Sequence, residues 1–486
     1  MATSEHNPDA VPPGVNRVDA VVVGAGPAGS AAALELARAG RSVVLLERGP
    51  FPGSKNMYGG VIYGRILDDL VPNWTDEMPI QRWVTRRQTM VLTETQAMTV
   101  DFRSEAWGKP PYNGATAFRP DFDSWLASKA TDAGAQLACS TTATGLIFEG
   151  DDPNGPAGEA EGSDGPRGAG PPGAGSRRGA GPGAPAGRGK VIGVRTDRPD
   201  GDLYADVVIA ADGVNSFLAK EAGMYPHGEA ANFTVGIKEV VSLPRTVIED
   251  RFGVRGRHGT DIEIIGATGD VPGGGFVYTN LDSVAVGLVL SLPALAAGGR
   301  RPEELLAELK AHPAIAPLID GGEVSEFSAH VIPEAGYDMM PELVTDGMVV
   351  CGDAAAMCLA SGIWLEGVNF AIGAGAAAGR AAAVALDSGD TSAEGLASYV
   401  DRLERSFVLS DHRRLRQAPH LVMSERMQQH YPQLICNTVE RVFRVDNPRP
   451  KPQMHEIIFD EVRRSGLKVA DLARDGLAAL RMRAFG

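Results

Sequence analysis

The chain is 486 residues long, 43% apolar and formally −15 at neutral pH. The length allows two or three domains with a large buried core, and the acidic balance excludes a general nucleic-acid binder. Its four cysteines, Cys139, Cys351, Cys358 and Cys436, lie far apart with no C-x-x-C spacing; that excludes a disulfide framework and a cysteine-ligated zinc or iron–sulfur site within the chain, and makes the cytoplasm the expected compartment.

Residues 1–16 carry proline and acids but no apolar segment, and read as a disordered tail rather than a signal peptide. Val18 to Val23 is a β-branched run that feeds into Gly24-Ala25-Gly26-Pro27-Ala28-Gly29. An Ala/Leu-rich stretch from Ser30 to Gly40 follows, then a second apolar run, Ser42 to Leu46, closed by Glu47-Arg48. Strand, glycine turn, helix, strand and acid in that order form a dinucleotide-binding fingerprint in its full context. Gly24 permits the tight turn, Gly26 lets backbone approach a pyrophosphate, and Gly29 lets helix pack on strand. The helix N-terminus offers unpaired N–H groups to the phosphates, and Glu47 stands where a carboxylate accepts from a ribose hydroxyl.

Pro50 to Gly64 is rich in small residues, including Gly59-Gly60, which suggests backbone lying close to a ligand. Thr89–Thr93 and Met98–Phe102 read as short strands. Phe118-Arg119-Pro120-Asp121 opens a helix predicted to run to about Gly134, with proline and acids in its first turn. Residues 150–189 are Gly/Pro/Ala/Ser-rich with almost nothing to bury; they read as a disordered insert between two strands. Ala205 to Ala211 is a buried strand ending at Asp212-Gly213. Four strand-like runs between 231 and 292 predict a largely antiparallel second sheet, and Arg301–Leu309 reads as a surface helix. Met348 to Cys351 repeats the strand-then-glycine theme with Gly352-Asp353, before a small-residue loop, Leu359–Gly362, and a Gly/Ala-rich helix over about 366–387. That apolar stretch contains Asp353, Glu366, Asn369 and Arg380, which a membrane span tolerates poorly. The last hundred residues read as helical, most clearly over 396–417. Residues 401–486 hold 16 Lys/Arg against 11 Asp/Glu, reversing the sign of the chain as a whole. The nine histidines are dispersed without metal-ligand spacing, so no metal is expected.

Gly24–Gly29 with Glu47, Asp212-Gly213 and Gly352-Asp353 together resemble the glutathione-reductase-2-type FAD fold. Aromatic hydroxylases, halogenases, geranylgeranyl reductases and quinone oxidoreductases share it. The resemblance implies FAD rather than NAD, with Asp353 at the ribityl chain and Arg119, in its R-x-x-F-D-x-W-L setting, against the cofactor. Lys55 to Gly64, Gly274 to Asn280 and Gly352-Asp353-Ala354-Ala355 narrow the match. They look like the FixC branch of electron transfer flavoprotein:quinone oxidoreductases, over roughly residues 17–445.

That resemblance implies an α/β architecture: a Rossmann-like FAD-binding domain (17–80 with 115–149, 190–230 and 340–390), a mainly antiparallel substrate or quinone domain (81–114 with 231–339) and a helical C-terminal region (391–486). Cofactor contacts are expected from Gly24, Gly26, Pro27, Ala28, Gly29, Glu47, Arg48, Gly59, Gly60, Arg119, Asp212, Gly213, Gly352, Asp353 and Gly362, with Met57 and Tyr58 at the flavin face. Phe276 and Tyr278 are candidates for a quinone pocket. The four-cysteine ferredoxin module of single-chain relatives is missing. The implied partners are therefore electron transfer flavoprotein alpha and beta subunits, a separate ferredoxin-like iron–sulfur subunit and quinone, in a Fix-type and potentially bifurcating complex. Peripheral contact with the inner face of the cell membrane is left open. The implied chemistry needs no protein nucleophile or general-acid pair. Geranylgeranyl-type prenyl reductases are the first alternative, but they carry W-x-F-P where this chain has Gly274-Gly275-Phe276-Val277-Tyr278. Flavin monooxygenases and halogenases are the second; the W-x-W-x-I-P segment of halogenases has no counterpart here.

Overall fold

The computed structural model describes residues 16–481 apart from 57–58, 152–188, 226–232, 267, 335 and 361–364. Its first element is β1 (Asn16–Val23), whose Ala20, Val21 and Val22 are wholly buried, as a central parallel strand covered on both faces requires. The glycine turn leads to α1 (Pro27–Arg38) and β2 (Val43–Leu46). Beyond these come β3 (Gly60–Ile62), β4 (Ile80–Leu92), β5 (Ala97–Arg103) and β6 (Ala115–Ala117). Helix α2 (Arg119–Asp132) precedes β7 (Gln136–Ala138), β8 (Ala143–Phe148), β9 (Val191–Thr196) and β10 (Leu203–Ala210). Strands β11 (Phe233–Ser242), β12 (His258–Ile265), β13 (Gly273–Thr279), β14 (Ser283–Ser291) and β15 (Glu323–Pro333) follow, then β16 (Val344–Thr345) and β17 (Met348–Val350).

Two sheets result. The first is a parallel core in the order β17-β10-β1-β2-β7, edged by antiparallel β16 and by the β8–β9 hairpin on β10. That hairpin is closed by Glu149 N donating to Lys190 O at 2.8 Å, so the predicted insert joins two already paired strands; its residues 152–188 lie outside the described ones. The second sheet runs β15-β11-β14-β13-β12-β4-β6-β3, with β5 on β4. Every pair in it is antiparallel except β12 with β4. Residues 60–62 and 115–117, assigned by sequence to the dinucleotide domain, instead pair through β4 into this second sheet. Three-residue strands are too short to display the alternation that would have placed them. The predicted surface helix, Pro302–Ala311, buries Leu305, Leu306 and Leu309 against one face of the second sheet. The other face is turned toward the first.

Helix α3 (Val368–Ser388) is long and apolar enough to cross a membrane, but 72% of that stretch is buried within the protein. It lies directly on α1: a Cβ at Gly375 would meet Ala28 O at 2.0 Å, and one at Gly379 would meet Ala32 O at 2.5 Å. The single helix expected over 396–417 is broken. Ser398–Glu404 stops, and α4 (Phe407–Arg414) restarts because the Ser406 hydroxyl caps Val408 N. The chain then passes through one π-type turn, Arg426–His430, into α5 (Tyr431–Phe443), α6 (Met454–Arg464) and α7 (Val469–Arg481).

Candidate FAD site between the two sheets

A cavity of about 470 Å³ opens at the carboxyl ends of β1, β2, β10 and β17, where α/β sheets characteristically hold their ligands. Val23, Glu47, Asp212 and Asp353 line it at those four strand ends. The glycines around it do separate jobs. Gly24, at φ +102°, presses so close to Ala211 that a Cβ would lie 2.3 Å from its carbonyl oxygen. Gly29 abuts the Gly24 carbonyl, where a Cβ would sit at 1.8 Å. A Cβ on Gly26 would meet nothing within 4 Å, because Gly26 faces the open cavity with Pro27 and Ala28. Gly352 faces away from it and packs on α1, 2.7 Å from Ala28 Cβ for an added Cβ.

No side chain caps α1 or α3 at its N-terminus, and both ends point into the cavity: Gly26 and Pro27 from one, Gly367 and Val368 from the other. Uncapped N–H groups of this kind suit phosphate and carbonyl oxygens. The Glu47 carboxylate is held rigid, accepting from Gly49 N at 2.7 Å and Ala25 N at 3.3 Å, and beside it the exposed Arg48 also lines the space. Asp212 accepts from Leu218 N at 3.2 Å through Oδ2, while its buried Oδ1 has no hydrogen-bond partner among the described residues. An orphaned acceptor beside Gly213 and two open helix ends fits a cofactor carrying hydroxyl and phosphate groups.

Arg119 is set by a bidentate pair with Asp123, Nε to Oδ1 at 2.8 Å and Nη2 to Oδ2 at 2.9 Å. Asn56 Nδ2 braces the same carboxylate at 2.7 Å. Burial raises the Asp353 carboxyl, opposed chiefly by the nearby Arg119 guanidinium. Gly59 and Gly60 line the cavity as well. The predicted Met57, Tyr58 and Gly362 lie outside the described residues.

Phe276 and Tyr278 project from β13 at the far end, their rings stacked 5.4 Å apart at 14°. Around them lie residues that the sequence reading did not single out. Lys238, fully buried on β11, donates to Gly59 O at 2.8 Å, and Tyr278 OH donates to the same carbonyl at 3.0 Å. Burial lowers the Lys238 ammonium to about 7. Tyr63, Asp261, Glu263 and His330 also line the space. The C-terminal segment closes it: Gln428 accepts from Gly273 N at 3.1 Å and donates to Val422 O at 2.7 Å, bringing Met423 and Met427 over the apolar end.

Fold and cavity define an FAD-dependent oxidoreductase. Residues 19–107 match the FAD dependent oxidoreductase family, and residues 418–483 match the ETF-QO/FixC family C-terminal domain. The probable electron transfer flavoprotein-quinone oxidoreductase YdiS of Escherichia coli (strain K12) is 36% identical over 463 residues, 95% of this chain and 98% of that protein. Protein FixC of the same strain is 37% identical over 463 residues, 94% and 97% of the two chains. The chain belongs to this FixC family of electron transfer flavoprotein–quinone oxidoreductases. Among solved structures, a geranylgeranyl bacteriochlorophyll reductase-like protein from Thermoplasma acidophilum superimposes with a TM-score of 0.66 at 20% identity. It covers 95% of this chain and 100% of its own, a likeness of fold.

Proposed function

We propose that this chain takes electrons from an electron transfer flavoprotein of alpha and beta subunits and passes them to a quinone. It would do so in a Fix-type complex with a separate ferredoxin-like iron–sulfur subunit, and bifurcation of electrons belongs to the same reading. The observation that carries it is one continuous cavity with a dinucleotide cradle at one end and an apolar, aromatic end at the other. FAD, when bound, supplies the ability to accept and release one or two electrons. The chain's own residues position it: the α1 N-terminus at the pyrophosphate, Glu47 at a ribose hydroxyl, and Arg119 and Asp353 on the side toward the second sheet. Phe276, Met423 and Met427 exclude water from the end assigned to the quinone. Exposed apolar side chains among the basic C-terminal helices, including Phe443, Phe459 and Leu480, support docking of the iron–sulfur subunit or peripheral contact with the inner membrane face, which sets the proposed location.

An anaerobic absorbance titration tests this. Alone, the FAD-loaded protein should stay oxidised with NADH; mixed with the flavoprotein and iron–sulfur subunits it should be reduced, and a short-chain quinone should reoxidise it. Rapid direct reduction by NAD(P)H, with oxygen uptake on adding an aromatic substrate, would overturn the reading in favour of a monooxygenase. Reduction of a prenyl double bond would favour the geranylgeranyl-reductase type.

A further inference from the structure

Strand β12 carries Asp261 and Glu263 two residues apart, hence on one face of the sheet, and both line the cavity. Their register partners on β13 are Tyr278 and Phe276, the aromatic pair of the apolar end. On the other side β4 sets Arg87 opposite Asp261. The Arg87 Nη2 lies 3.0 Å from Glu263 Oε1 and 3.3 Å from Asp261 Oδ2, with the Tyr63 ring 5.9 Å from its guanidinium carbon. Asp261 is 2% exposed and the Glu263 side chain 14% exposed, and among the described residues Asp261 Oδ2 meets the guanidinium as an ion pair without an aligned hydrogen bond. The two carboxyl groups therefore converge on one nitrogen, Arg87 Nη2. Two buried carboxyls this close do not both ionise, even beside one arginine; they titrate as a pair with one proton held between them. Such a proton also offers Asp261 a hydrogen-bond donor besides the Arg87 guanidinium.

We infer that Asp261 and Glu263 share a proton and deliver it to the quinone, an inference that rests on the quinone reading above and goes beyond the expectation that no side chain carries chemistry. Quinone becomes quinol by gaining two electrons and two protons. Reduced FAD, if held in this cradle as its anion, would supply both electrons and one of the protons. The second proton leaves the carboxyl pair: an O–H bond breaks there as one forms on the quinone oxygen, and the pair regains a proton from solvent. Arg87, Tyr63 and Tyr278 face the pair from β4, from the end of β3 and from β13, and Glu366 faces Tyr63 from beyond β17. Burial raises Glu263 well above the usual carboxylate range, and Asp261 raises it further.

Two measurements on the FAD-loaded protein test this. Infrared difference spectra, oxidised minus dithionite-reduced, should show a carboxylic-acid C=O band that shifts in deuterium oxide and disappears in Glu263→Gln. Reoxidation of the reduced protein is then timed with a short-chain quinone and with ferricenium, which takes an electron and no proton. The ratio of quinone to ferricenium rates should fall about 100-fold in Glu263→Gln, the lower range for loss of a positioned proton donor. Asp261→Asn, which keeps the side-chain shape beside Arg87, should lower it in the same direction. A ratio within about threefold of wild type in both variants, with the band retained, overturns the pair and leaves quinone reduction standing. Reoxidation of the wild type by ferricenium but by no quinone overturns the quinone reading and the delivery with it.

Discussion

A methyl group at Gly29 would lie 1.8 Å from the Gly24 carbonyl oxygen and 3.2 Å from a Val22 methyl. Neither is the free end of a flexible chain, so α1 must tilt away from β1 to admit it, carrying its N-terminal N–H groups off the cofactor. Overpacking of this kind costs about 1–3 kcal/mol. Gly29→Ala should therefore weaken FAD binding roughly ten- to hundredfold, read as flavin absorbance retained through gel filtration. His412 gives a residue-scale prediction of another sort. It is wholly buried in α4, its ring edge-on to Phe370 at 4.6 Å and its Nδ1 2.6 Å from Val408 O. Burial lowers it to about 4. The unfolded chain takes up this proton near 6.5 and the folded chain only near 4. Stability should thus fall as pH drops through that window, by about 1.4 kcal/mol per unit. Urea melts at pH 7 and pH 5 should show the loss in wild type and a smaller one in His412→Phe.

At the scale of elements, α1 and α3 meet through alanine and glycine, so their backbones touch. A Cβ at Gly375 would come 2.0 Å from Ala28 O, at the first turn of α1. Gly375→Ala should destabilise the fold by about 1–3 kcal/mol and also reduce FAD retention, since the helix it displaces forms the phosphate end of the cavity; paired thermal and flavin-content measurements check both. The same scale shows what the sequence could reveal. Gly24 to Gly29 and Glu47 were legible because strand, turn, helix and strand are consecutive, and each residue's role follows from local geometry. Asp261 and Glu263 were not. In Thr260-Asp261-Ile262-Glu263-Ile264 the acids alternate with isoleucines, which reads as a strand with a wet face. Only the facing sheet and the C-terminal segment around Gln428 turn that face into cavity wall. The β3 and β6 strands escaped for want of length, and the break before α4 because a single serine cap decides it.

For the molecule as a whole, the β8–β9 hairpin already closes through Glu149 and Lys190. Removing residues 152–188 should leave both sheets and the denaturant midpoint intact, because the strand ends on either side are already joined by their own hydrogen bonds. Denaturant midpoints and an unaltered flavin spectrum would show this. The strand order carries a consequence for synthesis. β1 is flanked by β2 and by β10, and β10 by β17, whose last residue is Val350. In the second sheet, β4 must wait for β12, which ends at Ile265. A nascent chain therefore leaves the ribosome with β1 and β4 made early and one neighbour of each made much later. Contacts of such long range form slowly and expose strand edges in the meantime. Most of the polypeptide must exist before either sheet is complete, and until then the emerging chain depends on being shielded from its own copies.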